Sequence, residues 1–429
     1  MNSMNNPNIL YLFADQLHAF ALGCMGNPDV KTPNLDRLAS EGILFANTYS
    51  CYPVCTPYRG VLFTGRYGSQ SGVRRNNDPL PADCKTLAES LNEGGYRTSY
   101  VGKWHLGTTG NIAVAPELRG GFQEFTGYQC YNEYLRNVWF FDEDGNKTEY
   151  HRHRTDVTTD ITIEKLRGLK DSRFALFVSY QNPHYPVQPL KKYADMYKGV
   201  KITRRPNTTD IDPYTKTFSP PTPNYEIDSN YLRYADDLDE YMRLYYAMVT
   251  QLDDNIGRIL RELEELDLLN RTVVMFTSDH GDMQGSHGIK NKSVFWEEST
   301  RVPLIVSVPD GQRGVVKQEL VSTVDLYPTI LNYCSIPATA DLEGNSFAPM
   351  TSGSDQAWDN ETFSQDKGWY MCRKGAYKLV IDSTTLAPTH YFDLEEDPYE
   401  MNNLVSGTSE HKEMLLRRLL EWQSRIEKK

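Results

Sequence analysis

The 429-residue chain is 39% hydrophobic and 24% charged, enough to bury a large core as one big domain or two. A net charge of −12 argues against a nucleic-acid partner, and no apolar run reaches the length of a membrane span. Seven cysteines, odd in number and without framework spacing, argue against a disulfide scaffold and fit a reducing compartment. The first residues pass into an apolar strand without a basic segment or cleavage site, so the chain as given reads as cytoplasmic; removal of a leader beforehand would make it periplasmic or secreted. That strand is residues 8–14, continuous enough to be covered on both faces. Asp15 and Gln16 stand at its C-terminal end, where open α/β sheets place their sites, although Asp15 alone could equally cap a turn. Residues 32–42 read as a helix with Pro33 in its first turn and Gly42 at its stop, and residues 43–49 as the next strand.

The strand leads to Cys51 and then to Cys55, Thr56, Pro57, Arg59, Thr64 and Gly65. Pro57 stiffens a turn into a short helix that Gly65 can end, which puts Cys55 at the helix N-terminus, where free backbone N–H groups favour negative charge. Arg59 lies one turn deeper on the same face and can hold the Cys55 side chain or an anion beside it. This stretch resembles the signature of the type I sulfatases, Cys-x-Pro-x-Arg followed by Thr-Gly, and the resemblance extends over nearly the whole chain. It implies that Cys55 is oxidised to Cα-formylglycine, whose hydrated form is the nucleophile. Thr56 departs from the Ser or Ala usual near the proline. The resemblance also makes Asp15 and Gln16 divalent-metal ligands, the Gln oxygen still able to bind calcium with one negative charge fewer.

Residues 84–93 read as a helix and 96–101 as a strand, closed by Gly102-Lys103-Trp104-His105-Leu106-Gly107. In an extended backbone Lys103 and His105 share a side and suggest an anion pocket. The family carries this same string, its Lys and His contacting sulfate and nucleophile. Residues 108–160 interleave aromatics with polar residues and read as an irregular insertion at the cleft mouth. Its rings suit either a sugar or aryl group or packing against the body, and His151 to Arg154 could read further anionic groups. Residues 155–169 return as a helix and 174–180 as a strand. His184 then sits on a loop stiffened by Pro183 and Pro186, where the family has a His that assists the leaving oxygen.

Residues 190–231 read as a long surface loop and 234–266 as the longest helix, with Asp253 and Asp254 assigned to solvent or salt bridges. After the strand 272–277, Asp279 and His280 repeat the position of Asp15 and Gln16, so two acidic strand ends form a metal cage. His280 is a softer ligand than calcium prefers and could instead hydrogen-bond the nucleophile or sulfate. His287 follows on a glycine-rich loop, Lys292 matches the family's sulfate-contacting lysine, and Asp325 reads as a helix cap. Composition loosens after residue 350, which divides a catalytic unit, 1–350, from a C-terminal unit, 351–429, with a small antiparallel sheet and a terminal helix at 411–422. Arg373 or Lys374 could reach substrate from there.

The expected fold is α/β: a large, mostly parallel mixed sheet flanked by helices, alkaline-phosphatase-like, with the small C-terminal subdomain. The resemblance implies hydrolysis of a sulfate monoester, on a carbohydrate or other sulfated small molecule. Calcium, or magnesium in its place, would be held by Asp15, Gln16, Asp279, His280 and residue 55. Arg59, Lys103, His184 and Lys292 would surround the sulfate, and His105 would take a proton. A formylglycine-generating maturase, oxygen-independent in a cytoplasmic host, is the implied protein partner. Phosphonate monoester or phosphodiester hydrolysis in the same site, and a non-catalytic anion-binding relative, are the alternatives.

Overall fold

The computed structural model describes residues 6–209, 238–339, 341–354 and 357–427. Ten strands build the main sheet: β1 (Asn8–Asp15), β2 (Ile43–Tyr49), β3 (Arg97–Lys103), β4 (Glu124–Tyr128), β5 (Val138–Phe141), β6 (Lys147–Tyr150), β7 (Phe174–Pro183), β8 (Thr272–Ser278), β9 (Arg301–Ser307) and β10 (Val315–Ser322). Their spatial order is β10-β2-β9-β8-β1-β7-β3-β4-β5-β6. β8, β1, β7, β3 and β4 run parallel. β9 lies antiparallel between β8 and β2, and β5 and β6 form an antiparallel margin.

β1 is apolar throughout because both faces of the sheet are covered. Ile9, Tyr11 and Phe13 pack with Tyr58, Leu62 and Phe63 of the Cys55–Thr64 helix on one side. Leu10 and Leu12 pack on the other side with the Leu238–Glu265 helix, whose Leu252, Ile256 and Ile259 recur at helical spacing. With parallel strands at its centre, the sheet gathers the C-terminal ends of β1, β3, β7 and β8 along one edge.

Residues 108–160 depart from the expected irregular insertion. β4 joins β3 in parallel register, and β5 pairs with β6 from Val138↔Tyr150 to Phe141↔Lys147. Tyr128, Tyr134 and Phe140 are buried, so these rings pack the body. Arg154 is buried too, its guanidinium 4.2 Å from the Tyr128 ring centre and bonded to the carbonyls of Glu133 and Asn137, and His153 stacks on Tyr134. The helix expected from residue 84 begins at Leu87, where Thr86 and Glu89 form a capping box. Residues 210–231 of the expected loop and 234–237 of the expected long helix lie outside the described residues.

Asp253 is not a solvent residue. It is buried and accepts from the backbone N–H of Asn34 and Leu35, capping the Pro33–Glu41 helix from across the fold. Asp254 accepts from the Tyr193 hydroxyl. Asp325 accepts from the backbone of Ser322 and Asn345 rather than from the helix it precedes.

A second sheet of β11 (Glu361–Asp366), β12 (Trp369–Lys374), β13 (Tyr377–Asp382) and β14 (Pro388–Asp393) is an antiparallel meander. The Glu410–Glu427 helix lies on it, Trp422 stacked on Phe363. The sheet is tied to the main one through Glu297, which meets Tyr49, Lys378, Arg373 and Arg301. Arg373 meets Glu297 and the Tyr49 hydroxyl, and Lys374 meets Glu361 and the Asp359 carbonyl.

Candidate active site

Cys55 opens the helix that follows β2, with extended Val54 before it and Gly65, at φ 64°, ending it. The helix thus points its N-terminus at the edge where the parallel strands end. Ala14 faces Ser278 in the β1–β8 register, so Asp15 and Asp279 emerge side by side, although 264 residues separate them in the chain. The Cys55 Sγ lies 3.6 Å from Asp15 Oδ1, 3.2 Å from His280 Nε2 and 4.0 Å from Lys103 Nζ. Candidate ligand atoms of Asp15, Cys55, Asp279 and His280 all lie within 4.8 Å of one another, and all four residues are buried. Gly281 permits this turn: a Cβ there would come 1.8 Å from the Glu298 carbonyl oxygen.

Cations close the cluster. Lys103 Nζ donates to Asp15 Oδ2 at 2.5 Å, and Arg59 Nη2 lies 3.5 Å from the same oxygen and 4.0 Å from Asp279 Oδ2. Arg59 Nη1 donates to the Lys103 carbonyl at 2.6 Å and to Ser179 Oγ at 2.9 Å, so this fully buried arginine braces the ends of β3 and β7 beneath Cys55. Lys292 arrives on a loop from beyond β8, and its Nζ donates to Gln16 Oε1 at 2.6 Å. The Gln16 amide in turn donates to Asp282 Oδ2 at 2.7 Å, and its backbone N–H to Asp279 Oδ1.

Burial disfavours charge on every member, and neighbours decide the outcome. At Asp15, burial is outweighed by Lys103, His184 and Lys292, which hold the carboxyl well below its ordinary range. At Asp279, burial and the facing Asp15 raise it to about 7. His105 is pushed down to about 2 by burial and by Lys103 and Arg59. His184 is lowered by burial and by Lys292, and its Nδ1 lies 2.5 Å from the Tyr185 carbonyl, which leaves Nε2 as the free nitrogen. Both histidines are thus held neutral. The donor set fits a divalent cation. Asp279 Oδ2 is buried without a hydrogen-bond partner, and two carboxylates with an imidazole nitrogen face one another across a gap of ligand dimensions.

Lys103 and His105 converge by a route other than the extended register expected. The strand stops at Lys103, and His105 adopts φ 54°, its N–H bonded to Gln129 and its carbonyl taken by Thr56 Oγ1. Thr56 therefore joins the helix start to the turn carrying His105. Sequence reading missed this contact, and it missed Ser179, Tyr100 and Asp282 as supports. Asp282 lies two residues beyond His280, but its partners come from Gln16 and Tyr241, far away in the chain.

The chain matches the Sulfatase family over residues 7–336 and the N-sulphoglucosamine sulphohydrolase C-terminal family over residues 285–425. It is 32% identical to an ulvan-active sulfatase of Formosa agariphila across 93% of this chain and 77% of that protein. It is 27% identical to an N-acetylglucosamine-6-O-sulfatase of Bacteroides thetaiotaomicron across 97% and 86%. The crystal structure of the YidJ protein from Bacteroides fragilis superposes with a TM-score of 0.85 at 28% identity, covering 99% of this chain and 97% of that one.

Proposed function

This chain belongs to the sulfatase family, and from that premise we propose that it hydrolyses a sulfate monoester on a carbohydrate, through a formylglycine made from Cys55 and a bound divalent cation. The observation carrying this reading is the meeting of Cys55, Asp15, Asp279 and His280 at the N-terminus of a helix, ringed by Arg59, Lys103 and Lys292. Asp15, Asp279 and His280 would hold the cation, with Gln16 joining them as Lys292 leaves its oxygen for the substrate. Calcium suits the hard carboxylate oxygens, with magnesium the other candidate. The cation would polarise a sulfate oxygen and favour the ionised nucleophile.

The chain's own residues account for the remaining demands. The helix N-terminus and Lys103 stabilise negative charge at position 55. Lys292 takes one sulfate oxygen, and Arg59 holds the floor of the site in place. His184 faces the leaving oxygen, and its Nε2 can take the proton that the attacking hydroxyl gives up and pass it to that oxygen as the S–O bond breaks. His105, whose protonated form burial together with Lys103 and Arg59 disfavours until the sulfate anion offsets these cations, accepts the proton released when the second hydroxyl of the hydrated aldehyde expels sulfate and restores the carbonyl. A maturase must first make that aldehyde, because thiolate attack would leave a thiosulfate-type ester with no hydroxyl to expel it.

Support for a carbohydrate comes from the two named relatives, which act on ulvan and on N-acetylglucosamine 6-O-sulfate by their descriptions. A panel of sulfated monosaccharides, sulfated oligosaccharides, an aryl sulfate and an aryl phosphonate tests the reading. Preferred turnover of a sulfated sugar is the expected result, and preferred turnover of the phosphonate would reject it.

A further inference from the structure

The aromatic stretch 128–154, part of the insertion expected at the cleft mouth, wraps the segment that carries His184. Three of its side chains bond to that segment. Tyr128 Oη donates to Gln181 Oε1 at 3.1 Å, and His153 Nε2 donates to the Gln188 carbonyl at 2.9 Å. Between them, Tyr134 Oη lies 2.7 Å from the His184 carbonyl oxygen and 2.8 Å from that of Gln181. One phenol proton is thus shared between the two ends of a turn, which the His184 N–H closes by bonding back to the Gln181 carbonyl at 3.0 Å.

The turn has other anchors, and they hold its middle. Asn182 donates to the Met248 carbonyl of the Leu238–Glu265 helix at 3.2 Å and accepts from Thr155 Oγ1. The His184 ring is oriented by its own neighbour, through Nδ1 and the Tyr185 carbonyl. Where that ring sits is therefore set by the main chain of His184, and Tyr134 bonds this main chain directly. Tyr134 is itself immobilised: it is fully buried, its ring stacks on His153 at 5.2 Å, and its carbonyl accepts from the Arg154 N–H at 2.8 Å. Burial, with Asp15 beyond, pushes the phenol well above its ordinary range, so it keeps the proton it donates.

We propose that Tyr134 is a positioning residue for the reaction: buried away from substrate, it places His184 Nε2 against the leaving oxygen through the two carbonyls it holds. A displacement of about 1 Å at a reacting group is worth about 100-fold in rate. The proposal rests on the sulfate-ester reading, in which His184 passes a proton to the leaving oxygen. It gives Tyr134 an effect graded by how much the leaving group needs that proton. A nitrophenolate departs well without one, and an alkoxide does not.

The test is Tyr134→Phe in the full chain, which keeps the ring and its stacking and removes only the hydroxyl; thermal melting checks the fold. Its kcat for a nitrophenyl sulfate should stay within about threefold of wild type, while kcat for an alkyl or sugar sulfate falls about 30-fold or more with KM little changed. In a His184→Ala background the same substitution should lower neither rate further, because a residue acting through His184 has nothing left to act on. Apart from turnover, a crystal structure of Tyr134→Phe should show the His184 ring displaced by about 0.5 Å or more. Equal losses on both esters, a further loss in the His184→Ala background, or an unmoved ring would overturn the proposal. Failure of the wild type on every sulfate ester would instead sink the reaction reading, and the ring position would still decide whether Tyr134 places His184.

Discussion

Lys292 and Lys103 carry the same charge into the same pocket but differ in what removing them exposes. Lys292 is half-buried and holds Gln16. Lys292→Ala should lower kcat/KM for a sulfate ester about 100-fold or more, as loss of a charge-stabilising donor does, with little change in melting temperature. Lys103 is fully buried against Asp15. Lys103→Ala should abolish turnover and also cost about 3–5 kcal/mol in the metal-free protein, because a buried carboxylate is left unpaired. Urea melts beside steady-state kinetics separate the two cases. The carboxylates give a further expectation: stripping with a chelator should lower the melting temperature as well as activity, and calcium should restore both, since a cation bound only by the folded chain stabilises it. A melting temperature indifferent to calcium would reject the cage formed by Asp15 and Asp279.

Among the elements, the strands buried on both faces were legible because their apolar runs leave no other placement: β1, β2, β7 and β8 fall where the sequence puts them. The helix carrying Cys55 was legible from Pro57 and Gly65. β5 and β6 were not, being four residues each and half exposed, with their pairing decided by the sheet margin they join. Long-range polar contacts were equally hidden. Asp253 sits mid-helix like any surface acid, and only the packing of the Pro33–Glu41 helix across it shows that it caps that helix. Asp253→Ala should therefore cost about 1–2 kcal/mol, the ordinary loss of a cap, measured by chemical denaturation. A change below half that value would make the contact incidental. Among the site residues, Lys103, His105, His280 and Lys292 were found by motif. Thr56, Ser179 and Tyr100 were missed because their role is to hold other residues, which spacing along a chain does not record.

For the whole molecule, Glu297 is the joint between the two sheets. Burial would raise its carboxyl, but Lys378, Arg373 and Arg301 overcome that and bring it to about 2, below its ordinary 4.5. A group depressed on folding stabilises the fold above its unfolded value and loses that contribution as pH falls toward the folded one. The joint should thus be intact above pH 4.5 and weaken toward pH 2, a contribution of about 3 kcal/mol at neutral pH. Glu400, raised to about 7 by burial with Glu297 and Glu298 nearby, slopes the other way between pH 4.5 and 7, and Asp15 and Glu298, both depressed, share the acid limb, so Glu297 is read as the change its substitution makes there. Glu297→Gln should flatten that limb and lower stability at pH 7. A limb as steep as wild type would place the acid sensitivity elsewhere.

The burial of Cys55, only 1% exposed, turns the order of chain synthesis into a constraint on maturation. On the proposed function a modifying enzyme would need this segment extended, yet the pocket that hides it is completed by His280, 225 residues later. At about 5–20 residues per second that interval lasts roughly 10–45 s, during which residue 55 has left the ribosome while its cage is still being made. Nascent chains stalled before Thr272 should therefore be converted as fully as finished ones in the presence of the maturase. Protein folded without it should stay a thiol however long the two are mixed, which peptide mass spectrometry of position 55 would read directly.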